Sequence, residues 1–411
     1  MQKDNPENRI PVNDPIRERM RDFAARHKVM EEQGHYLWNQ VIEPTSCPGG
    51  VRVKVHGREM VLCASYSYLG LLSHPRIVQA AKAAIDLYGT GTHGVRLLAG
   101  TLPIHKTLEE TIALFHGTEE AITFSSGYIT NTTVITALMG RHDHIFSDQL
   151  NHASIVDGCL LSGAKFVRFR HRDLADLESS LARTGSGGSR LVITDAVFSM
   201  DGDIANLPGL VEICRRHGAW LMVDEAHSIG HIGKSGRGIE EHFGMAGAVD
   251  LKMGALSKAI PSSGGYIAGS KDLMRVLRHS ARAFIFSAAL TPAQAASADA
   301  AFKVIMEEPE HLANLRRNAE LFRSRIAGMG FTILNSETSI VPIMCGSDES
   351  AFEMARICYE NGAFVLPIVS PAVPDGRARL RCTITAAHTQ AEVEQALTVL
   401  NIAGEKSGVL K

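Results

Sequence analysis

The sequence predicts an α/β protein: a large domain with a mostly parallel central sheet flanked by helices, followed by a small α+β C-terminal domain. Three observations lead there. At 411 residues the chain exceeds a typical single domain, which favours one large unit and one smaller. From about Pro75, short apolar runs alternate with helical stretches, and near-continuous apolar strands belong to a sheet covered on both faces. After a helix-rich passage from Pro292 to about Ile326, a second and shorter set of strands and helices begins. The expected boundaries are an N-terminal arm and hairpin over 1–62, a large domain over 63–295 and a small domain over 296–411.

Residues 1–12 are polar, lack the apolar centre of a signal peptide and read as a disordered lead. A charged, weakly amphipathic helix is expected over 14–33. Val51, Val53 and Val55 alternate with Arg52 and Lys54, and His56-Gly57-Arg58 turns the chain into Met60-Val61-Leu62. That is a β-hairpin, expected to join the arm to the large domain. Strands are expected at 121–124, 144–147, 166–169, 191–195, 220–224, 251–253 and 266–268, with helices between them at 129–139, 174–181 and 208–217. The small domain is expected to hold strands at 331–334, 339–344 and 379–385, with helices at 349–360 and 390–402. Gly185-Ser186-Gly187-Gly188 reads as an exposed loop.

Hydrophobic residues at 45% and charged residues at 21% suit a soluble globular protein. Lys+Arg 42 against Asp+Glu 44 excludes a general nucleic-acid surface or a polybasic membrane anchor. The basic run Arg168-Phe169-Arg170-His171-Arg172 reads as a solvated loop. The seven cysteines are scattered, with no C-x-x-C and no zinc spacing, so a reducing compartment and no metal are expected. No apolar run reaches the roughly 18 residues of a membrane span. The expected location is the cytoplasm.

The chemistry centres on Lys258. It follows an apolar run and precedes Ser262-Ser263-Gly264-Gly265. Upstream, another apolar run ends in Val223-Asp224-Glu225-Ala226-His227. An acid for a ring nitrogen, a donor for a phenolic oxygen and an amine for an aldehyde suit pyridoxal phosphate. A lone lysine reads as a solvated charge; Asp224 and His227 single this one out. Both Asp224 and Lys258 follow strand ends, where ligands of such sheets bind. Ser125-Ser126-Gly127-Tyr128 lies between a strand and a helix, so its N–H groups suit a phosphate. Taken alone, it reads equally as an ordinary turn with a serine cap. His152 taken alone reads as a packed or surface histidine, and Asp201 and Asp203 near Ser199 read as turn residues.

Two motifs are set aside. Gly89-Thr90-Gly91-Thr92-His93-Gly94 matches G-x-G-x-x-G but follows a helix instead of a strand, so it is not a dinucleotide fingerprint. Asp224-Glu225-Ala226-His227 spells a helicase box, yet no phosphate loop precedes it.

Together these pieces resemble the α-oxoamine synthases, a branch of the fold-type-I pyridoxal-phosphate transferases. The residues that carry the resemblance are Tyr66-Ser67-Tyr68-Leu69-Gly70, Gly89-Thr90-Gly91-Thr92, Arg96, Ser126-Gly127-Tyr128, His152-Ala153-Ser154, Phe198-Ser199-Met200-Asp201-Gly202-Asp203, Asp224-Glu225-Ala226-His227, Ser257-Lys258, Gly264-Gly265 and Leu380-Arg381-Cys382-Thr383. Phe169-Arg170-His171 is most similar to bacterial serine palmitoyltransferases. The tail Thr385-Ala386-Ala387-His388 is also similar to aminooxononanoate synthases and glycine C-acetyltransferases.

The resemblance implies roles by position. Lys258 carries the cofactor and later moves the Cα proton. Asp224 pairs with the ring nitrogen, His227 and Ser199 serve the phenolic oxygen, and His152 stacks on the ring. Ser126, Gly127, Tyr128 and Ser257 face the phosphate, with Ser287 reaching it from the partner of a homodimer whose site lies at the interface. Ser67 and Arg381 face the substrate, the guanidinium fork being shaped for a carboxylate. The implied reaction joins serine, alanine or glycine to an acyl thioester with loss of CO₂, giving an α-amino ketone. A serine-palmitoyltransferase-like enzyme acting on serine is favoured; the alternative is an enzyme like the aminooxononanoate synthases or glycine C-acetyltransferases, and behind these stand an aminotransferase and a non-catalytic partner subunit. The chain departs from the family in four places. Ser67 replaces an Asn, Ala255 replaces a Thr, His93 sits beside the glycines, and Pro367-Ile368-Val369-Ser370-Pro371 lacks an Arg.

Overall fold

The computed structural model describes residues 14–45, 49–185 and 187–410. The expected lead, Cys47 and Ser186 lie outside them. The first helix, Pro15–Glu32, starts where Asp14 accepts N–H bonds from Ile16 and Arg17 and proline occupies the first turn. It buries none of its residues.

The hairpin forms as β1 (Arg52–Val55) and β2 (Arg58–Leu62), with Val55 opposite Arg58. Seven strands follow in chain order: β3 (Glu120–Phe124), β4 (His144–Asp148), β5 (Lys165–Phe169), β6 (Arg190–Asp195), β7 (Trp220–Asp224), β8 (Leu251–Ser257) and β9 (Pro261–Gly269). They build one sheet in the order β3-β9-β8-β7-β6-β4-β5. Only β9 runs antiparallel to its neighbours. Helices join most strands and cover both faces, leaving Ile122, Ile145, Val192, Ile193, Met222 and Val223 buried. The fold is therefore the expected α/β architecture. Because β3, β6, β7 and β8 are parallel, their carboxyl ends open on one edge, carrying Ser126, Asp195, Asp224 and Lys258 to the same place.

The C-terminal part adds β10 (Ile340–Gly346), β11 (Ala363–Phe364), β12 (Pro367–Ile368) and β13 (Ala378–Thr383). β10, β13 and β12 form an antiparallel sheet backed by helices Asp348–Glu360 and Gln390–Ser407. The strand expected at 331–334 is only a single bridge, Ile333 to Ile343. Ser336 N–H donates to the Leu334 carbonyl at 2.7 Å, turning the chain before a ladder can extend. The hairpin also differs in its attachment. β11 pairs with β2 in parallel, and Val53, Val55 and Met60 pack on Phe364. The hairpin is thus a layer of the C-terminal part, because β2 offers its free edge there and not to the large sheet. Helix Pro292–Glu307 packs on Pro75–Tyr88 and Pro103–His116, and its Ala298, Ala301 and Phe302 belong to the large core. A division at 295/296 falls inside this helix. Among the described residues, no helix is long and apolar enough to cross a membrane.

Candidate active site

A cavity of about 230 Å³ opens at the carboxyl edge of the sheet. Ser126, Gly127, Tyr128, His152, Asp224, His227, Ser257 and Lys258 all line it. Each is placed by a strand end or a helix start. β7 stops at Asp224, whose Oδ1 accepts the Ala226 N–H at 2.9 Å as the chain turns. Lys258 leaves β8 at the bulge after Ala255. Ser126 caps helix Gly127–Leu138 by accepting the Ile129 N–H, which leaves the Gly127 and Tyr128 N–H groups without helical partners.

Two polar chains hold these groups. In the first, Asn131 Nδ2 donates to Asp224 Oδ2 at 2.8 Å and to Ser154 Oγ at 2.9 Å. Ser154 N–H and Oγ both meet His152 Nδ1, at 3.2 and 2.7 Å. An N–H aimed at Nδ1 makes that nitrogen an acceptor, so the His152 proton sits on Nε2. In the second, Arg381 Nη2 donates to the Tyr68 hydroxyl at 3.3 Å, and Tyr68 lies 2.6 Å from His227 Nδ1. Among the described residues the buried Tyr68 hydroxyl has no other acceptor for its one proton than His227 Nδ1, so it donates there and the His227 proton sits on Nε2.

The electrostatics follow burial. Burial pushes the Lys258 amine below its usual range, against the pull of Asp224 and Asp195. Burial, with the positive Lys258 and Arg381 nearby, keeps His227 far below the usual histidine range. His152 is lowered by burial too. Tyr68 is pushed up to about 12 by burial and stays a hydroxyl. Asp195, opposite Asp224 in the β6–β7 register, is raised well above the carboxylate range by burial and by the Asp224 charge.

Four expected residues do not line the cavity. Arg381 is buried on β13 and reaches the site through Tyr68; its Cζ also lies 4.7 Å from the Tyr66 ring centroid. Ser199 offers its carbonyl to Arg381 Nε. Ser67 Oγ is buried without a partner. Ser287 follows helix Arg282–Phe286, next to a bridge between Ala288 and Val95 that ties it to the glycine segment. From sequence, Tyr68 and Ser154 stand only among the residues that carry the resemblance, Asp195 only as a strand end and Asn131 only within an expected helix, none with a role of its own. Asp195 ends a strand as Asp224 does, and Asn131 lies one turn into the helix after Gly127; those positions were the available signal.

The cavity suits pyridoxal phosphate. Asn131 Oδ1 and Asp195 Oδ1 are buried beside it without protein partners. A Cβ on Gly127 would come within 3.2 Å of Ala255 Cβ and Met253 Cε, so glycine is what lets the helix start seat against β8. Amine, carboxylate and free helix N–H groups are the donor set that the aldehyde, the pyridine nitrogen and the phosphate require.

A family model described as aminotransferase class I and II matches residues 58–400. The chain is 45% identical over 393 residues to the 8-amino-7-oxononanoate synthase of Geobacter sulfurreducens, covering 95% of this chain and 100% of that protein. It is 40% identical over 368 residues to the serine palmitoyltransferase of Sphingobacterium spiritivorum, covering 90% of this chain and 92% of that one. A solved structure of SPT with PLP as an internal aldimine is similar at a TM-score of 0.92 and 33% identity, covering 97% of this chain and 100% of that chain.

Proposed function

The chain belongs to the class I and II aminotransferase family, in its α-oxoamine synthase branch, and from that premise we propose how its residues divide the work. The enzyme is a pyridoxal-phosphate-dependent acyltransferase. It condenses a small amino acid with an acyl thioester, releasing CO₂ and the thiol and leaving an α-amino ketone. When bound, the cofactor supplies an aldehyde for the amino group and a ring that spreads the electron pair left at Cα.

Lys258 anchors the cofactor and exchanges the Cα proton at Nζ; its lowered pKa supports a free amine for that task. Asp224, steadied by Asn131 and the Ala226 N–H, pairs with the ring nitrogen. His227 donates its Nε2 proton to the phenolic oxygen, since Tyr68 occupies Nδ1. His152, which lines the cavity, would take the ring face, and Ser126, Gly127, Tyr128 and Ser257 would hold the phosphate. Arg381 holds the substrate carboxylate with the N–H groups left free by Ser199, Thr383 and Tyr68, while Ser67 borders the substrate.

The molecule works as a cytoplasmic homodimer in which the partner supplies Ser287 to the phosphate. Leu98 and Phe286, 83% and 71% exposed in the single chain, lie in the two segments joined by the Val95–Ala288 bridge beside Ser287, which supports cover by a partner there. Serine is the amino acid favoured by the sequence. Alanine stands beside it because the higher of the two identities is to the oxononanoate synthase. The observation that carries this division of roles is Lys258 and Asp224 at neighbouring strand ends in one cavity. Incubation with each small amino acid and a series of acyl thioesters, scoring CO₂ and free thiol, tests it. Amino-group exchange with a keto acid instead would identify an aminotransferase.

A further inference from the structure

His231 is a buried histidine outside the cavity, and both of its ring nitrogens are engaged, one by a near neighbour and the other by the C-terminal part. Its Nδ1 lies 2.9 Å from the His227 carbonyl. Its Nε2 accepts the Ser339 N–H at 2.8 Å. A carbonyl can only accept and an N–H can only donate, so the ring is a neutral imidazole with its proton on Nδ1. The ring faces Tyr68 with centroids 4.6 Å apart and planes 31° apart. Burial lowers its pKa to about 4, in keeping with a neutral ring.

These contacts join two parts of the fold. Ser339 immediately precedes β10, and its carbonyl accepts the Ile384 N–H at 3.2 Å just beyond β13. It therefore belongs to the sheet that carries Arg381. His227 and Tyr68 belong to the cavity side. A direct link from Arg381 to Tyr68 already exists, but at 3.3 Å it is the longest bond of that chain. His231 provides a second, parallel link through three contacts with both of its nitrogens engaged.

We propose that His231 is a positioning residue that locks the Arg381-bearing sheet to the Tyr68–His227 pair, keeping the carboxylate-binding fork and the proton donor in one register. This rests on the reading of His227 as a donor through Nε2. No sequence motif announces it, because His231 bonds one near neighbour and one backbone group far along the chain.

Two substitutions separate its parts. His231→Phe keeps a ring against Tyr68 and removes both hydrogen bonds. His231→Gln keeps a donor and an acceptor. In the loaded enzyme, His231→Phe lowers kcat by about 10²-fold, the scale of a small misplacement at the reacting centre. KM for the acyl thioester stays unchanged and KM for the amino acid rises, while His231→Gln recovers most of the loss. In the cofactor-free protein, nitrogen NMR of the His227 ring reports a proton on Nε2 in the wild type and a mixture of tautomers in His231→Phe. Wild-type kcat in His231→Phe overturns the proposal. So does a loss of kcat that leaves the His227 tautomer untouched, since that is a stability effect alone. Should His231→Phe not fold, the wild-type ring decides: a proton on His231 Nε2 in place of Nδ1 overturns the proposal. A wild-type enzyme that releases no CO₂ defeats the functional reading and leaves the tautomer measurements to judge this one.

Discussion

The Tyr68 hydroxyl lies 2.6 Å from His227 Nδ1, in a contact that spans most of the large unit's sequence. It sets which face of the imidazole carries the proton. Tyr68→Phe therefore leaves Nδ1 buried and unpaired, which costs about 1–3 kcal/mol of stability. It also frees the ring to present the wrong nitrogen, so kcat falls by about 10²-fold, the lower end of what a positioned proton donor contributes. Steady-state kinetics alongside urea unfolding check both. A variant with unchanged kcat assigns His227 no donor role.

Asn131 bridges Asp224 and Ser154. Asn131→Asp places a second carboxylate at hydrogen-bond distance from Asp224. Like charges so close favour protonation of one of them. The ring nitrogen then loses its full counter-charge, and cofactor affinity falls. Equilibrium dialysis against the cofactor reads the effect. Retention equal to wild type removes Asp224 from the ring-nitrogen role.

Ala255 is buried on β8 and its Cβ faces the Gly127 backbone. Ala255→Ser adds a hydroxyl where the phosphate is placed. One neutral hydrogen bond contributes about 0.5–1.5 kcal/mol, so cofactor affinity rises by about 2- to 13-fold. Weakened binding instead places the phosphate elsewhere.

Part of this was legible in the sequence, and part was not. The strand ends at Asp195 and Asp224 are visible because fully covered parallel strands read as unbroken apolar runs, whereas the strand expected at 251–253 runs on to Ser257. Lys258, Asp224 and His227 were legible because their residue types are unusual at such ends. Tyr68 was not, since an aromatic in a short motif reads as packing until its hydroxyl is seen against His227. Asn131 and Ser154 are common helix-start residues, and only the convergence of two helices on Asp224 gives them meaning. The place of the hairpin was hidden for a related reason. Its alternation shows that β1 and β2 pair, but not that the two-residue β11 takes the free edge of β2.

His171 sits between Asp148 and Asp203, at 3.0 and 2.9 Å. Both carboxylates raise its pKa from 6.5 to about 9, against a burial effect that alone would lower it. The folded value exceeds the unfolded one, so the pair's stabilisation is complete below 6.5 and is lost as pH climbs through about 9. Wild-type stability to urea therefore declines across that window more steeply than that of His171→Gln. Identical pH profiles contradict a charged clamp.

The most direct test follows the substrate carboxyl group. The holoenzyme is given serine, alanine or glycine labelled with ¹³C at that carbon, together with an acyl thioester, and labelled CO₂ is measured against free thiol. One labelled CO₂ released for each thiol, lost in Lys258→Ala, is the predicted result. Thiol release without labelled CO₂, or turnover that survives Lys258→Ala, would contradict a lysine-dependent decarboxylative condensation.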